Sequence, residues 1–222
     1  MSTRLATGLP LLLLLLAADV ARAVDTEPVI AVLGDSLTAG LGVPVGDAFP
    51  ARLQARIHRE GYRYRVVNAG VSGDTSASGL RRVEWVLRSR PEIVIVALGA
   101  NDGLRGLGTA AMQSNLTQIV ERLRAAGARV LLAGMRVPPN YGDDYARRFE
   151  NSFAEVAART RVTLMPFLLT GVAGDPALNQ PDGIHPTAGG HAVIADNVWT
   201  YLKPVLKRYR TTGGGDVRPT PR

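Results

Sequence analysis

Short, unbroken apolar runs alternate along this chain with longer stretches in which apolar residues recur every three or four positions. VIAVL at 29–33, IVIVAL at 93–98 and VLLA at 130–133 are the clearest runs; those at 64–67 and 162–164 are shorter. A run without polar alternation predicts a strand buried on both faces, as in a parallel sheet. The intervening stretches, 47–60, 75–89, 109–126, 143–160 and 188–208, carry helical spacing. Strand and helix therefore take turns along the chain, which predicts an α/β fold: a three-layer α/β/α sandwich around a five-stranded parallel sheet, flavodoxin-like in outline. Arg90-Pro91 and Ala126-Gly127 punctuate two of the helix-to-strand turns.

Composition changes this picture little except at the ends. The chain has 222 residues and a 46% apolar fraction, which suits one globular domain over 24–210. It has no cysteine, which removes disulfides, a thiol nucleophile and thiolate-bound metals. The net charge is +7, but the arginines are spread through the predicted helices without interleaved aromatics, so no nucleic-acid partner is expected. At the N-terminus, Arg4 precedes an apolar stretch from Leu9 to Ala18, and Ala21-Arg22-Ala23 follows. That pattern predicts a secretory signal peptide over 1–23, cleaved after Ala23, and a periplasmic or secreted protein. The apolar stretch is about half the roughly twenty residues a membrane span needs. The Gly-, Thr- and Pro-rich tail 211–222 is expected to be disordered. Nothing in the pattern speaks to oligomeric state.

In an open parallel sheet, ligands sit beyond the carboxyl ends of the strands. Ser36 follows the first run by three positions, between Gly34 and Gly40. Alone it reads first as a helix N-cap sequence, since Asp or Ser before a helix is common. Gly73 lies after the second run in a segment that alone reads first as a plain turn followed by an Asp or Thr cap; a backbone amide there without a side chain over it is open to a ligand. Asn101 follows the third run as an uncharged side-chain donor suited to a developing oxyanion, or as a plain turn residue. His185 sits in a loop bounded by Gly183 and Pro186, with Asp182 three residues before it to fix its tautomer. His58 reads as a helix-surface residue and His191 as part of the last helix; neither pairs with His185 as a metal ligand, and neither metal nor cofactor is expected. Each feature alone is weak. Together they place a serine, a histidine with an orienting carboxylate and two neutral donors on one sheet edge, the parts needed for acyl transfer.

GDSLTAG at 34–40, NAGVSGDTS at 68–76, GANDGLRG at 99–106 and DGIHPTAGGH at 182–191 resemble, in order, the four motif blocks of the SGNH (GDSL) hydrolases. The likeness covers nearly all of 24–210 and, with PPNYGDDYARRF at 138–149, is closest to the bacterial periplasmic branch with arylesterase, acyl-CoA thioesterase and lysophospholipase activities. The resemblance implies Ser36 as nucleophile, His185 as base and Asp182 as its partner. It also implies an oxyanion hole from the Ser36 and Gly73 amides and the Asn101 side chain. The expected substrate is a small acyl ester or thioester. Leu104, Arg105, Leu107 and Phe167 are the candidate substrate-binding residues, on the apolar loops around that hole, and transient contact with a lipid surface goes with such a substrate. A carbohydrate O-deacetylase is the alternative within the family, and a non-catalytic flavodoxin-like module the alternative outside it.

Overall fold

The computed structural model describes residues 27–206. The signal peptide and the disordered tail expected from the sequence lie outside the described residues. The chain runs β1 (Val29–Gly34), α1 (Ser36–Ala39), α2 (Phe49–Arg59), β2 (Arg65–Gly70), α3 (Ser76–Arg81), α4 (Val83–Leu87), β3 (Pro91–Ala97) and α5 (Ala100–Leu104). It continues through α6 (Thr109–Ala125), β4 (Arg129–Ala133), α7 (Asp143–Thr160), β5 (Thr163–Met165) and α8 (Ala188–Leu206). The five strands form one sheet in the order β2-β1-β3-β4-β5, every pair parallel. This order is flavodoxin-like, in keeping with the outline expected from the alternation of runs.

Burial explains why the runs carry so few polar residues. All six residues of β1 are buried, and so are six of the seven of β3, because both strands lie inside the sheet with helices above and below. The helices present one apolar stripe each. Phe49, Leu53 and Ile57 line the inner face of α2 at four-residue spacing, and Phe149, Phe153 and Val156 line that of α7 in steps of four and three. Helix α2 packs on α8, while α6 packs on α3 and α7. Right-handed crossovers stepping outward from β1 in opposite directions put these two groups on opposite faces of the sheet.

Two local departures from the sequence reading bear on function. The stretch 75–89 is not one helix but two, broken at Arg82, whose backbone leaves the helical region (φ −111°, ψ 13°). Its guanidinium reaches across the strand ends: Nη1 donates to the Ala69 carbonyl at 2.7 Å, Nη2 to the Gly34 carbonyl at 2.8 Å, and Nε to Asp74 Oδ2 at 2.5 Å. Arg82 thus donates to a carbonyl near the end of each of β1 and β2 and ties both strands to the following loop. Secondly, the turns after β1 and β3 contain the one-turn helices α1 and α5. They stand where the connections leave the sheet in opposite directions, the switch point that opens a crevice in this topology.

Candidate active site

The crevice assembles from the loops that follow the strands. Asp35 and Ser36 follow β1 directly. Asp35, buried, accepts the Leu37 amide at 3.0 Å and so caps α1, which leaves Ser36 as the first residue of that helix. The cap function that the sequence left open for this turn belongs to Asp35, and the Ser36 hydroxyl is free to face His185. His185 Nε2 lies 3.0 Å from Ser36 Oγ, and His185 Nδ1 lies 2.6 Å from Asp182 Oδ2. The other oxygen of Asp182 accepts the backbone amides of Ile184 and His185, each at 3.0 Å. These bonds, the His185 amide first, then its ring, then the Ile184 amide, hold the Asp182 carboxyl down at about 2. An ionised carboxylate only accepts, so Nδ1 carries the imidazole proton and Nε2 presents a lone pair to the serine.

Asn101 lines the same crevice from the β3 side, and the loop after β2 that carries Gly73 packs against it. Asn101 lies in α5, whose entry is Gly99 at φ 112°. A side chain there would be strained, and a Cβ would lie 2.9 Å from the Phe153 ring. Asn101 Nδ2 donates to the Asp74 carbonyl at 3.0 Å and makes a long contact of 3.4 Å with Asp35 Oδ2. Gly73, at φ 83°, has its carbonyl taken by Arg105 Nη2 at 2.9 Å; among the described residues its own amide has no backbone acceptor. The loops after β2 and β3 are locked together below the surface by Asp102, which accepts the Ser76 amide at 2.7 Å and the Ser76 hydroxyl at 2.6 Å.

Beside this cluster opens a mostly apolar groove of about 520 Å³. Leu104 and Phe167 line it, as do Met135, Val137, Pro138 and Leu169. Arg105 and Leu107 stand outside the lining: Arg105 turns to the Gly73 carbonyl and Leu107 faces solvent. Met135 to Pro138 escaped the sequence reading although they directly follow β4, where the strand-end argument would have found them. Asp35 also escaped it. Burial pushes its carboxyl up to about 6, against the pull of the Leu37 amide and the Asn101 side chain. Among the described residues no group of three or more His, Asp or Glu is placed to hold a metal.

A parallel α/β sandwich that brings a serine, a tautomer-fixed histidine and a carboxylate to one end of its sheet defines a serine hydrolase. The comparisons narrow the class. Residues 32–193 match the GDSL-like Lipase/Acylhydrolase family. The chain is 47% identical over 176 residues to esterase TesA of Pseudomonas aeruginosa, covering 79% of this chain and 88% of that protein. It is 39% identical over 199 residues to thioesterase 1/protease 1/lysophospholipase L1 of Escherichia coli K12, covering 89% and 93%. Among solved structures, the psychrotrophic esterase EstA from Pseudoalteromonas sp., inhibited by monoethylphosphonate, superposes with a TM-score of 0.78 at 36% identity, covering 82% of this chain and all of that one. The chain belongs to the GDSL-like lipase/acylhydrolase family and is a serine-dependent ester hydrolase.

Proposed function

We propose that the chain hydrolyses fatty acyl esters and thioesters through an acyl-enzyme on Ser36. The observation that supports this best is the relay from Asp182 through His185 to Ser36 Oγ, at 2.6 and 3.0 Å, beside an apolar groove. His185 Nε2 takes the hydroxyl proton as Oγ bonds to the acyl carbon. The carbonyl electrons move onto oxygen, where the Ser36 and Gly73 amides and the Asn101 side chain receive them. Asn101 has a proton to give: its contact with Asp35 is the long one, and an oxyanion replaces it at little cost. The tetrahedral species collapses, the C–O or C–S bond breaks, and His185 returns the proton to the leaving alcohol or thiol. Water, deprotonated by His185, then cleaves the acyl-enzyme and restores Ser36.

The groove sets the substrate class. Its lining gains about 0.8 kcal/mol per buried methylene, so catalytic efficiency climbs with acyl length until the groove is full. Arg105 at the rim favours anionic leaving groups. The experiment is kcat/KM on p-nitrophenyl esters from acetate to palmitate, with matching acyl-CoAs. A sharp maximum at acetate without thioester cleavage would sink this reading and favour the carbohydrate deacetylase; failure of an organophosphate to label Ser36 would favour a binding module.

Two further readings accompany it. Leu41, Val45, Val71, Leu107 and Ile184 are exposed on the loops at this end of the sheet, an apolar rim suited to transient contact with a lipid surface. Export through a signal peptide cleaved after Ala23 places the enzyme where such surfaces are met. Wild-type sedimentation with lipid vesicles that a Val45→Ser/Val71→Ser variant retains in full would refute the first. An exported protein whose N-terminus is not Val24 would refute the second.

A further inference from the structure

The groove has two walls that belong to different parts of the chain. One is α5, which carries Asn101 near its start and Leu104 one turn later at its end. The other is the segment leaving β4, with Val137 and Pro138. Three residues beyond Pro138, Tyr141 ends a single 3-10 turn, and its hydroxyl donates to the Leu104 carbonyl at 2.7 Å. That carbonyl closes a five-residue helix and needs a partner from outside it. The phenol is well placed to supply one. Its ring stacks on Tyr145 (6.1 Å between centroids, 29° between planes), and Tyr145 stacks in turn on Phe149, which is buried in the core. A stiff aromatic row therefore carries the hydroxyl, and the hydrogen bond joins wall to wall.

We propose that Tyr141 is a specificity-setting positioning residue. Its hydroxyl clasps Leu104 against the Val137–Pro138 wall, fixes the width of the groove, and so sets which acyl lengths the enzyme accepts. The inference rests on the fatty-acyl reading above. An acyl chain gains full contact only where both walls touch it, since dispersion falls off within an ångström of the optimum. With the clasp closed, chains longer than the groove are rejected; with it broken, the wall yields to them. Tyr145 does not share this role. Its hydroxyl bonds the Leu107 carbonyl at 2.9 Å and reaches the Asp102 carbonyl of α5 only at 3.5 Å, and Leu107 is exposed and outside the lining.

The test compares wild type, Tyr141→Phe and Tyr145→Phe, both variants keeping their rings, on p-nitrophenyl esters of increasing length. In wild type, efficiency falls beyond the preferred length. In Tyr141→Phe the ratio between the preferred ester and one four carbons longer shrinks about tenfold, mainly through KM. Its kcat on acetate stays within about threefold of wild type, because the Ser36, His185 and Asp182 contacts are untouched. Tyr145→Phe keeps the wild-type ratio. An unchanged ratio in Tyr141→Phe overturns the proposal, as does an equal loss at every length or the same change in Tyr145→Phe. If wild type itself takes only acetate, the fatty-acyl reading fails separately. The clasp is then judged by amide hydrogen exchange over Leu104–Leu107, which accelerates in Tyr141→Phe if the tie exists and is unchanged if it does not.

Discussion

A serine hydroxyl is a weak nucleophile until a base takes its proton, and here every atom of that base is assigned a task by its neighbours. Asp182 is held ionised by two backbone amides and the imidazole, so His185 has one tautomer to offer and one nitrogen to use. Ser36→Ala and His185→Ala each remove a member of a unit that works only when complete. Both are expected to keep the fold and to lose activity by on the order of 10³-fold or more. Asp182→Ala is milder than either, because the carboxylate only orients the ring and its side chain is 45% exposed, open to a substituting water. Steady-state kinetics on one short-chain ester checks all three; a folded Ser36→Ala with near-wild-type turnover removes the mechanism altogether.

Among the elements, the break between α3 and α4 matters more than any regular helix. Arg82 interrupts the helical stretch where its side chain turns to three acceptors, the Gly34 carbonyl of β1, the Ala69 carbonyl of β2 and Asp74. Asp74 in turn offers its carbonyl to Asn101, so this arginine sets the height of the loop that positions the amide donor. Arg82→Ala leaves a mostly buried Asp74 carboxylate without its partner and removes a donor from the Gly34 and Ala69 carbonyls. A loss of about 3 kcal/mol is expected, typical of removing one side of a buried pair. Urea unfolding reads the stability change, and kcat falls with it as Asn101 drifts. A variant of wild-type stability and activity would show that Arg82 is merely a surface cation.

For the molecule as a whole, two buried titratable groups pull stability in opposite directions over the same pH window. Asp35 has its carboxyl raised to about 6 by burial. The folded chain then binds its proton more tightly than the unfolded chain, and stability is lost as pH rises from about 4 through 6. His191 is fully buried, its Nδ1 accepts the Phe49 amide at 3.3 Å, and its Nε2 has no hydrogen-bond partner among the described residues. Burial first, then the Arg52 charge, lowers its ring to about 4. That contribution is complete above about 6.5 and is lost as pH falls through 4. Each amounts to about 3 kcal/mol at most, so wild type shows a shallow profile between. Asp35→Asn unmasks the histidine, and its melting temperature rises with pH between 4 and 6.5. His191→Gln unmasks the aspartate and shows the reverse slope. Parallel profiles for the two variants would contradict the assignment.

Much of this protein was legible along the chain. Continuous apolar runs identify strands covered on both faces, the rule that ligands gather past the strand ends brought Ser36, Gly73 and Asn101 into view, and the Gly- and Pro-bounded loop with Asp182 three residues earlier brought in His185. Those signals are local: burial leaves its mark on composition, and tight turns leave theirs in glycine. What the pattern left out depends on contacts between distant segments. The division of 75–89 comes from carbonyls up to 48 residues away in sequence, the Met135–Pro138 wall matters because it faces α5, and the tie from Tyr141 to Leu104 spans 37 residues. Asp35 looks like any N-cap until the sheet closes over it and withdraws the water that would keep its carboxyl acidic. Sequence determined which residues stand past the strand ends, because spacing to a strand end is written in the chain. Only the tertiary structure decided their distances, their protonation and the width of the groove beside them, because those follow from desolvation and packing between elements the chain keeps far apart.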